Sequence, residues 1–379
     1  MTVVLFIIIL AILIFVHELG HFIVARKSGI RVDEFGLGFG PKIYGKKIGQ
    51  TEYTLNLIPF GGFVKIFGEN PDEDSINGPD KTRSFVNKPR PIQAAVLVAG
   101  VVFNFLFAWL LVSLGFMGGI PASADDYASY GDKLHDVHIA FVSVSPGSPA
   151  DKAGLKIGDT LLSVTRGTTT YDASAVGIAG IQDVIAQSKG EPITVKIVDA
   201  LGSGDSELTK GQEKDITIKA EENIVPGKFA IGIAMDTVGI LKLPVHLAVW
   251  EGARLTWHLM KATAVGIYDL LYGVFHGTAS LAAVSGPVGI AGLVGDASRL
   301  GFTYLMLFTA LISINLGVLN LVPFPALDGG RLLFVIIESI IRKPIKPSVA
   351  NAVNAVGFVI LILLMLVVTY RDIVKLIVK

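Results

Sequence analysis

The sequence predicts an α-helical polytopic membrane protein of about four transmembrane helices, with one folded α+β insert between the second and third. Three observations carry that prediction. Of 379 residues, 51% are hydrophobic and only 17% charged, against about 25% charge in an ordinary soluble domain. Mean hydropathy is +0.62. The apolar residues are gathered into runs that exceed the ~20 residues a helix needs to cross ~30 Å of hydrocarbon. The 32 basic and 32 acidic side chains cancel, so no basic surface marks a nucleic-acid partner. There is no cysteine, which excludes disulfides, thiol nucleophiles and cysteine-based metal sites.

The elements follow in order. Residues 1–27 form the first span: Val3 to Val16 is purely aliphatic or aromatic, and the run continues through His17, Glu18 and His21 to Ala25. A cleaved secretory signal would show a basic start and an A-x-A-type site, and residues 1–16 carry neither. Residues 28–90 form a polar connection; 11 Lys and Arg fall between 26 and 90. Residues 91–120 form the second span, uncharged from Ile92 to Ile120.

Residues 121–235 read as a separate domain. Short β-prone runs (Ile139 to Val144, Thr160 to Val164, Ile193 to Val198, Ile216 to Ala220) alternate with turn signals. A helix is expected from Gly180 to Lys189, and a polar loop from Gly202 to Lys214. In residues 236–299, Glu251, Arg254, His258 and Lys261 share one helical face, with Trp250, Leu255, Trp257 and Leu259 on others. That division predicts an amphipathic helix lying along the membrane surface, followed by a loop around Gly286-Pro287-Val288-Gly289-Ile290-Ala291. Residues 300–330 form the third span, residues 331–348 a connection bearing Arg331, Arg342, Lys343 and Lys346, and residues 349–379 the fourth span and C-terminus. The positive-inside rule places both basic connections in the cytoplasm, and both chain ends and the insert outside.

His17-Glu18-Leu19-Gly20-His21 is an H-E-x-x-H pattern. On a helix, positions i and i+4 share a face about 6 Å apart along the axis, so both imidazoles can meet one metal ion. Glu18 lies on the adjoining side, placed to act on a water there. Ionisable groups inside a span are costly and mark function. From Val3 to His17 the chain travels about 21 Å at 1.5 Å per residue, which puts the motif in the cytoplasmic half of the bilayer. The third span descends about 34 Å from Leu300 in the same direction and meets two prolines, then Leu327-Asp328-Gly329-Gly330. Asp328 can supply a third ligand and leave a tetrahedral position open, as in catalytic zinc sites. Taken alone it would pass for a turn or cap residue.

Together these segments resemble the site-2 protease family of intramembrane zinc metalloproteases. The resemblance is carried by HELGHF in the first span, GFG at 38–40, PFGGFVK at 59–65, AG…FN at 99–104, SGPVGIA at 285–291 and NLGVLNLVPFPALDGG at 315–330. The order and spacing look like the bacterial branch that regulates sigma-E, in a single-PDZ form. The resemblance implies His17, His21 and Asp328 as Zn2+ ligands and Glu18 as the catalytic acid/base. It implies that Asn320, Pro323 and Pro325 help position substrate, and that Gly36 to Phe67 forms a membrane-associated β-hairpin. It also implies that SVSPGSPADKAGLKIGDTLLSV at 143–164 opens an extracytoplasmic PDZ-like domain. The implied partners are single-span membrane proteins, such as anti-sigma factors or remnant signal peptides, within the lipid bilayer of a bacterial inner membrane. One departure stands out: Val101 follows Ala99-Gly100 where relatives carry Pro.

A peptide bond inside a helix is shielded by its own hydrogen bonds, so a spanning substrate must unwind before cleavage. An exposed strand edge can hold the unwound segment by main-chain pairing. Gly61, Gly62 and Phe63 are candidates for that edge; a plain hairpin turn at Gly61-Gly62 is the competing expectation. Two other functions remain compatible with the sequence. A catalytically silent PDZ-bearing scaffold would have no use for Glu18. A metal transporter would be expected to carry acidic residues in its other spans.

Overall fold

The computed structural model describes residues 1–199, 212–225, 227–278 and 285–377. In chain order the elements are helix α1 (Thr2–Lys27), strands β1 (Val32–Ile48) and β2 (Thr51–Ile66), helices α2 (Glu73–Asn77) and α3 (Arg90–Gly118), and strands β3 (Ile120–Ser123) and β4 (Leu134–Val144). Then come α4 (Pro149–Lys152), β5 (Thr160–Arg166), β6 (Thr169–Asp172), α5 (Ala173–Ala186), β7 (Pro192–Val198), β8 (Glu213–Lys219), β9 (Glu221–Val225), β10 (Lys228–Ala230) and β11 (Ile233–Leu241). The chain closes with α6 (Val245–His276), α7 (Pro287–Arg299), α8 (Phe302–Leu321), α9 (Asp328–Ile341) and α10 (Pro347–Ile377).

Among the described residues, four helices are long and apolar enough to cross a membrane: Thr2–Lys27, Arg90–Gly118, Phe302–Leu321 and Pro347–Val374. Their outward residues are apolar; Val356, Phe358, Leu363 and Leu366 on α10 are all exposed. A helix immersed in lipid gains nothing from hiding such side chains, so its contacts depend on small residues that let backbones approach. Gly20 on α1 is one: a Cβ there would strike the Ala99 carbonyl of α3. α3 runs unbroken through Val101, which is 2% exposed. Valine keeps the backbone N–H that proline would remove.

The chain divides into two compact units. The first comprises Met1–Ser113, Val249–Asp296 and Met306–Lys379. Its β1 and β2 form a ribbon folded on itself: Glu34 to Leu37 face Lys65 to Gly62 on one side and Glu52 to Leu55 on the other. Segment 62–65 is therefore an edge, with no further strand beside it among the described residues. The hairpin turn is at Gly49-Gln50 rather than Gly61-Gly62. Gly61, at φ +87°, sits in β2 opposite Leu37–Phe39, where the pairing with β1 shifts register, a left-handed conformation that glycine tolerates. Phe22, Phe35, Val96 and Leu97 bury together beneath the ribbon.

In this unit α6 packs on α3, where Trp109 Nε1 donates to the Val249 carbonyl at 2.9 Å. It also reaches α8, where Thr263 Oγ1 donates to Asn315 Oδ1 at 3.1 Å. Glu251 faces inward at 3% exposure, while Trp250 and Trp257 stand out at 68% and 54%. The segment at 286–291, expected as a loop, instead opens helix α7, with Pro287 at its start, a position that tolerates the missing N–H. The connection at 331–348 is largely helix α9.

The second unit comprises Leu114–Ala248 and Ala297–Leu305. Its sheet runs β3-β11-β4-β5-β7-β8, with β6 paired to β5. Ile193, Val195 and Ile197 are buried at every second position of β7 and meet Ile181, Val184 and Ile185 of α5, the period expected of a strand with one covered face. The helix expected from Gly180 follows a break in α5 at Gly177 (φ +67°, ψ 178°), and the turn before that break starts at Ala173, capped by Asp172. Its carboxylate accepts from the Ser174 hydroxyl and the Ser174 and Ala175 N–H groups, and these bonds hold it below the usual carboxylate range. Glu213 and Lys214, expected in the polar loop, belong to β8; residues 202–211 of that loop lie outside the described residues. β11 carries the sheet to Leu241, past the expected domain end at 235.

Candidate metal centre

The uninterrupted helix α1 stacks His17 and His21 one turn apart, each 7% exposed, with ring centroids 4.8 Å apart. Asp328 arrives from the other end of the chain. α8 ends at Leu321, the chain turns over residues 322–327, and Asp328 is the first residue of α9. Two glycines make that turn tight enough. A Cβ at Gly329 would collide with the Val322 carbonyl, and one at Gly330 with the Phe324 carbonyl. Ala326 takes φ +74°, a strained conformation for a side chain with a Cβ, and its N–H donates to Asn354 Oδ1 at 3.3 Å. On α10, a Cβ at Gly357 would run into Pro325, so α10 holds the turn from outside.

These elements bring three ligand atoms together. His17 Nε2 lies 3.0 Å and His21 Nε2 3.3 Å from Asp328 Oδ2, and the two Nε2 atoms are 3.2 Å apart. Ligands about 2.0–2.1 Å from a tetrahedral ion lie roughly 3.3–3.4 Å from one another, so this near-equilateral triangle fits zinc. The donor set, two imidazoles and a carboxylate, suits it as well. A second contact orients His21, whose Nδ1 hydrogen-bonds the Val96 carbonyl at 2.8 Å. The ring proton is thereby held on Nδ1 and the Nε2 lone pair points at the triangle.

α3 supplies two more neighbours that the motifs alone did not assign. Gly100 packs on the two imidazoles: a Cβ there would strike His21 Nε2 and lie 2.7 Å from His17 Cε1. Asn104 approaches His17 Nδ1 at 3.1 Å. Val96, Gly100 and Asn104 are spaced i, i+4 and i+8, one face of α3. The AG…FN segment at 99–104 was the available signal for the last two. Nothing in a sequence marks a main-chain carbonyl such as that of Val96.

Glu18 is half-buried, and a Cβ at Gly62 would lie 3.9 Å from its Cγ. The edge segment 61–65 therefore runs beside the H-E-x-x-H helix; a Cβ at Gly61 would also contact Ile14 Cδ1 at 3.4 Å. Phe63 stacks on Phe39 with centroids 6.0 Å apart. Asn320 is in the last turn of α8, and Pro323 and Pro325 are in the turn that delivers Asp328.

Residues 5–364 match Peptidase family M50. The chain is 36% identical over 366 residues to a Clostridium perfringens protein named "Putative zinc metalloprotease CPE1693", covering 96% of this chain and 95% of that one. It is 30% identical over 451 aligned residues to the "Regulator of sigma-W protease RasP" of Bacillus subtilis, covering 99% of each. It is 28% identical over 452 aligned residues to the "Zinc metalloprotease RasP" of Geobacillus kaustophilus, covering 98% of this chain and 97% of that one. With a two-histidine, one-aspartate cluster built for zinc in a chain matched nearly end to end, the protein belongs to Peptidase family M50, the site-2 proteases, and is a zinc metallopeptidase.

Proposed function

We propose that the protein cleaves single-span membrane proteins within a bacterial inner membrane, with His17, His21 and Asp328 holding Zn2+ and Glu18 moving the proton. The observation that carries this reading is the triangle of His17, His21 and Asp328 ligand atoms, drawn from α1 and α9. Zinc held there would polarise a scissile carbonyl and make water a stronger nucleophile near neutral pH. Glu18 takes the proton of the attacking water and delivers it to the leaving amide nitrogen. The three ligands leave Glu18 uncommitted to metal and next to the ribbon edge.

That edge suits the substrate. Among the described residues, 62–65 pair with β1 on one side only, so their other side can bind an unwound segment through main-chain hydrogen bonds. Gly61 and Gly62 let this edge lie close against Phe39 and the Gly36 carbonyl beside Glu18, and Phe63 adds an apolar contact. We assign Asn320, at the end of α8, and Pro323 and Pro325, on the turn that delivers Asp328, to substrate positioning as well. Anti-sigma factors and remnant signal peptides are the substrate classes we favour. The name of the Bacillus subtilis relative, a regulator of sigma-W, points the same way. We assign the strand-rich second unit as a PDZ-like domain on the extracytoplasmic side, limiting access for substrates whose external domain is intact.

Zinc content and cleavage of a membrane-spanning reporter, measured on purified protein in detergent, test the assignment. Asp328→Ala is expected to weaken zinc binding by more than the roughly 10–100-fold typical of losing an outer partner of a ligand, and cleavage should fall with it. Unchanged zinc affinity would place the third ligand elsewhere. Orientation is tested separately in this cysteine-free chain. A cysteine replacing Lys346 should resist an impermeant thiol reagent in intact cells, and one replacing Lys152, exposed before β5, should react. The reverse pattern would invert the topology.

A further inference from the structure

Asn104 is 0% exposed. Its main-chain carbonyl accepts from Ser313 Oγ at 2.8 Å, which ties α3 to α8 at that level. Its side-chain amide faces His17 Nδ1 at 3.1 Å. With the amide nitrogen toward the ring, Oδ1 has no hydrogen-bond partner among the described residues. A buried amide oxygen left unpaired is costly, and native interiors rarely carry one without a reason.

The chemistry of the ring supplies a reason. A neutral imidazole has one proton for two nitrogens. If His17 binds a metal through Nε2, the proton must be on Nδ1. An amide N–H pointed at that proton would set donor against donor. Turning the amide by half a revolution exchanges its ends without moving the backbone, and Oδ1 then accepts the Nδ1–H. His21 already has the equivalent arrangement with the Val96 carbonyl. Among the described residues no main-chain carbonyl does this for His17; the group at its Nδ1 is Asn104, two helical turns further along α3.

We propose that Asn104 is a positioning residue for His17, its Oδ1 accepting the Nδ1–H so that the Nε2 lone pair faces the metal. When the ring proton sits instead on Nε2, toward Asp328 Oδ2 at 3.0 Å, the same amide donates to Nδ1 from Nδ2. One side chain thus serves both tautomers, and the ring keeps its orientation whichever nitrogen carries the proton. The inference rests on the assignment of His17 as a ligand.

The test compares Asn104→Asp with Asn104→Ala in the full-length protein in detergent, with zinc affinity read by chelator competition. The visible spectrum of the cobalt-substituted form reports ligand geometry, and far-UV circular dichroism and melting report the fold. A carboxylate accepts and, when ionised, cannot donate, so Asn104→Asp should hold zinc within about threefold of the parent, while Asn104→Ala should lose roughly 10–100-fold. The alanine form should also show a changed cobalt spectrum. A folded Asn104→Ala protein with parental affinity would overturn the proposal. So would an Asn104→Asp protein that loses as much as the alanine form. If the alanine form does not fold, the aspartate form decides alone: near-parental affinity supports the acceptor role, and a loss of about tenfold or more refutes it. His17→Ala and Asp328→Ala are measured alongside. If they bind zinc as tightly as the parent, the ligand assignment itself is wrong and the proposal falls with it. If they lose zinc while both Asn104 variants keep it, only the positioning role fails.

Discussion

Replacing Glu18 by Gln is expected to cut cleavage by about 10²–10⁴-fold, the usual contribution of a positioned acid/base, while zinc stays bound. Glutamine matches the size of the side chain beside Gly62 and leaves the His17, His21 and Asp328 atoms in place, but its amide cannot take a proton from water. Metal analysis and reporter cleavage on the same preparation separate the two effects. Substantial turnover by a zinc-loaded Glu18→Gln protein would remove Glu18 from the proton path. Loss of zinc would mean that Glu18 supports the metal rather than the proton.

Gly100→Ala should abolish activity through geometry. Helix propensity alone favours alanine over glycine by about 0.8–1 kcal/mol, so an ordinary mid-helix position would gain stability. Here the new methyl group would sit against His21 Nε2 and 2.7 Å from His17 Cε1, among the ligand atoms themselves. Either both imidazoles move, which breaks a triangle whose sides are 3.0 to 3.3 Å, or α3 retreats from α1 and withdraws the Val96 carbonyl and Asn104 that orient His21 and His17. Zinc affinity should fall by at least about tenfold, the lower end of what even outer-shell changes cost, and cleavage should fall with it. Parental zinc affinity in Gly100→Ala would show that the close approach of α3 does not shape the site.

The spans and the H-E-x-x-H motif were legible because their signals are local. An uninterrupted apolar run needs only its own length to be read as a span, and His17 and His21 need only helical spacing to face one ion. Asp328 was legible through its setting, an acid after two prolines and before two glycines at the end of a span. Other elements were not legible in the same way. The 286–291 segment looks like a loop for its glycines, yet folds as the start of α7. There the Gly289 N–H donates to buried Asp372 at 2.7 Å, a partner far along the chain. At Gly61-Gly62 the sequence left a strand edge and a hairpin turn both open; the actual turn lies at Gly49-Gln50, and the pair lies in β2 against β1 beside Glu18. β11 escaped the expected domain boundary because strand pairing with β3 and β4 carries it to Leu241.

The sequence by itself determined the class of molecule, the number of long apolar helices and the residue types that could gather round a zinc ion. The tertiary structure alone decided how those residues are aimed. The proton on an imidazole goes where its other nitrogen finds an acceptor. For His21 that acceptor is a main-chain carbonyl 75 residues away, and the neighbour of His17 is an amide 87 residues away. Both depend on how closely α3 lies against α1, and Gly20 and Gly100 set that distance by having no side chain to hold the helices apart.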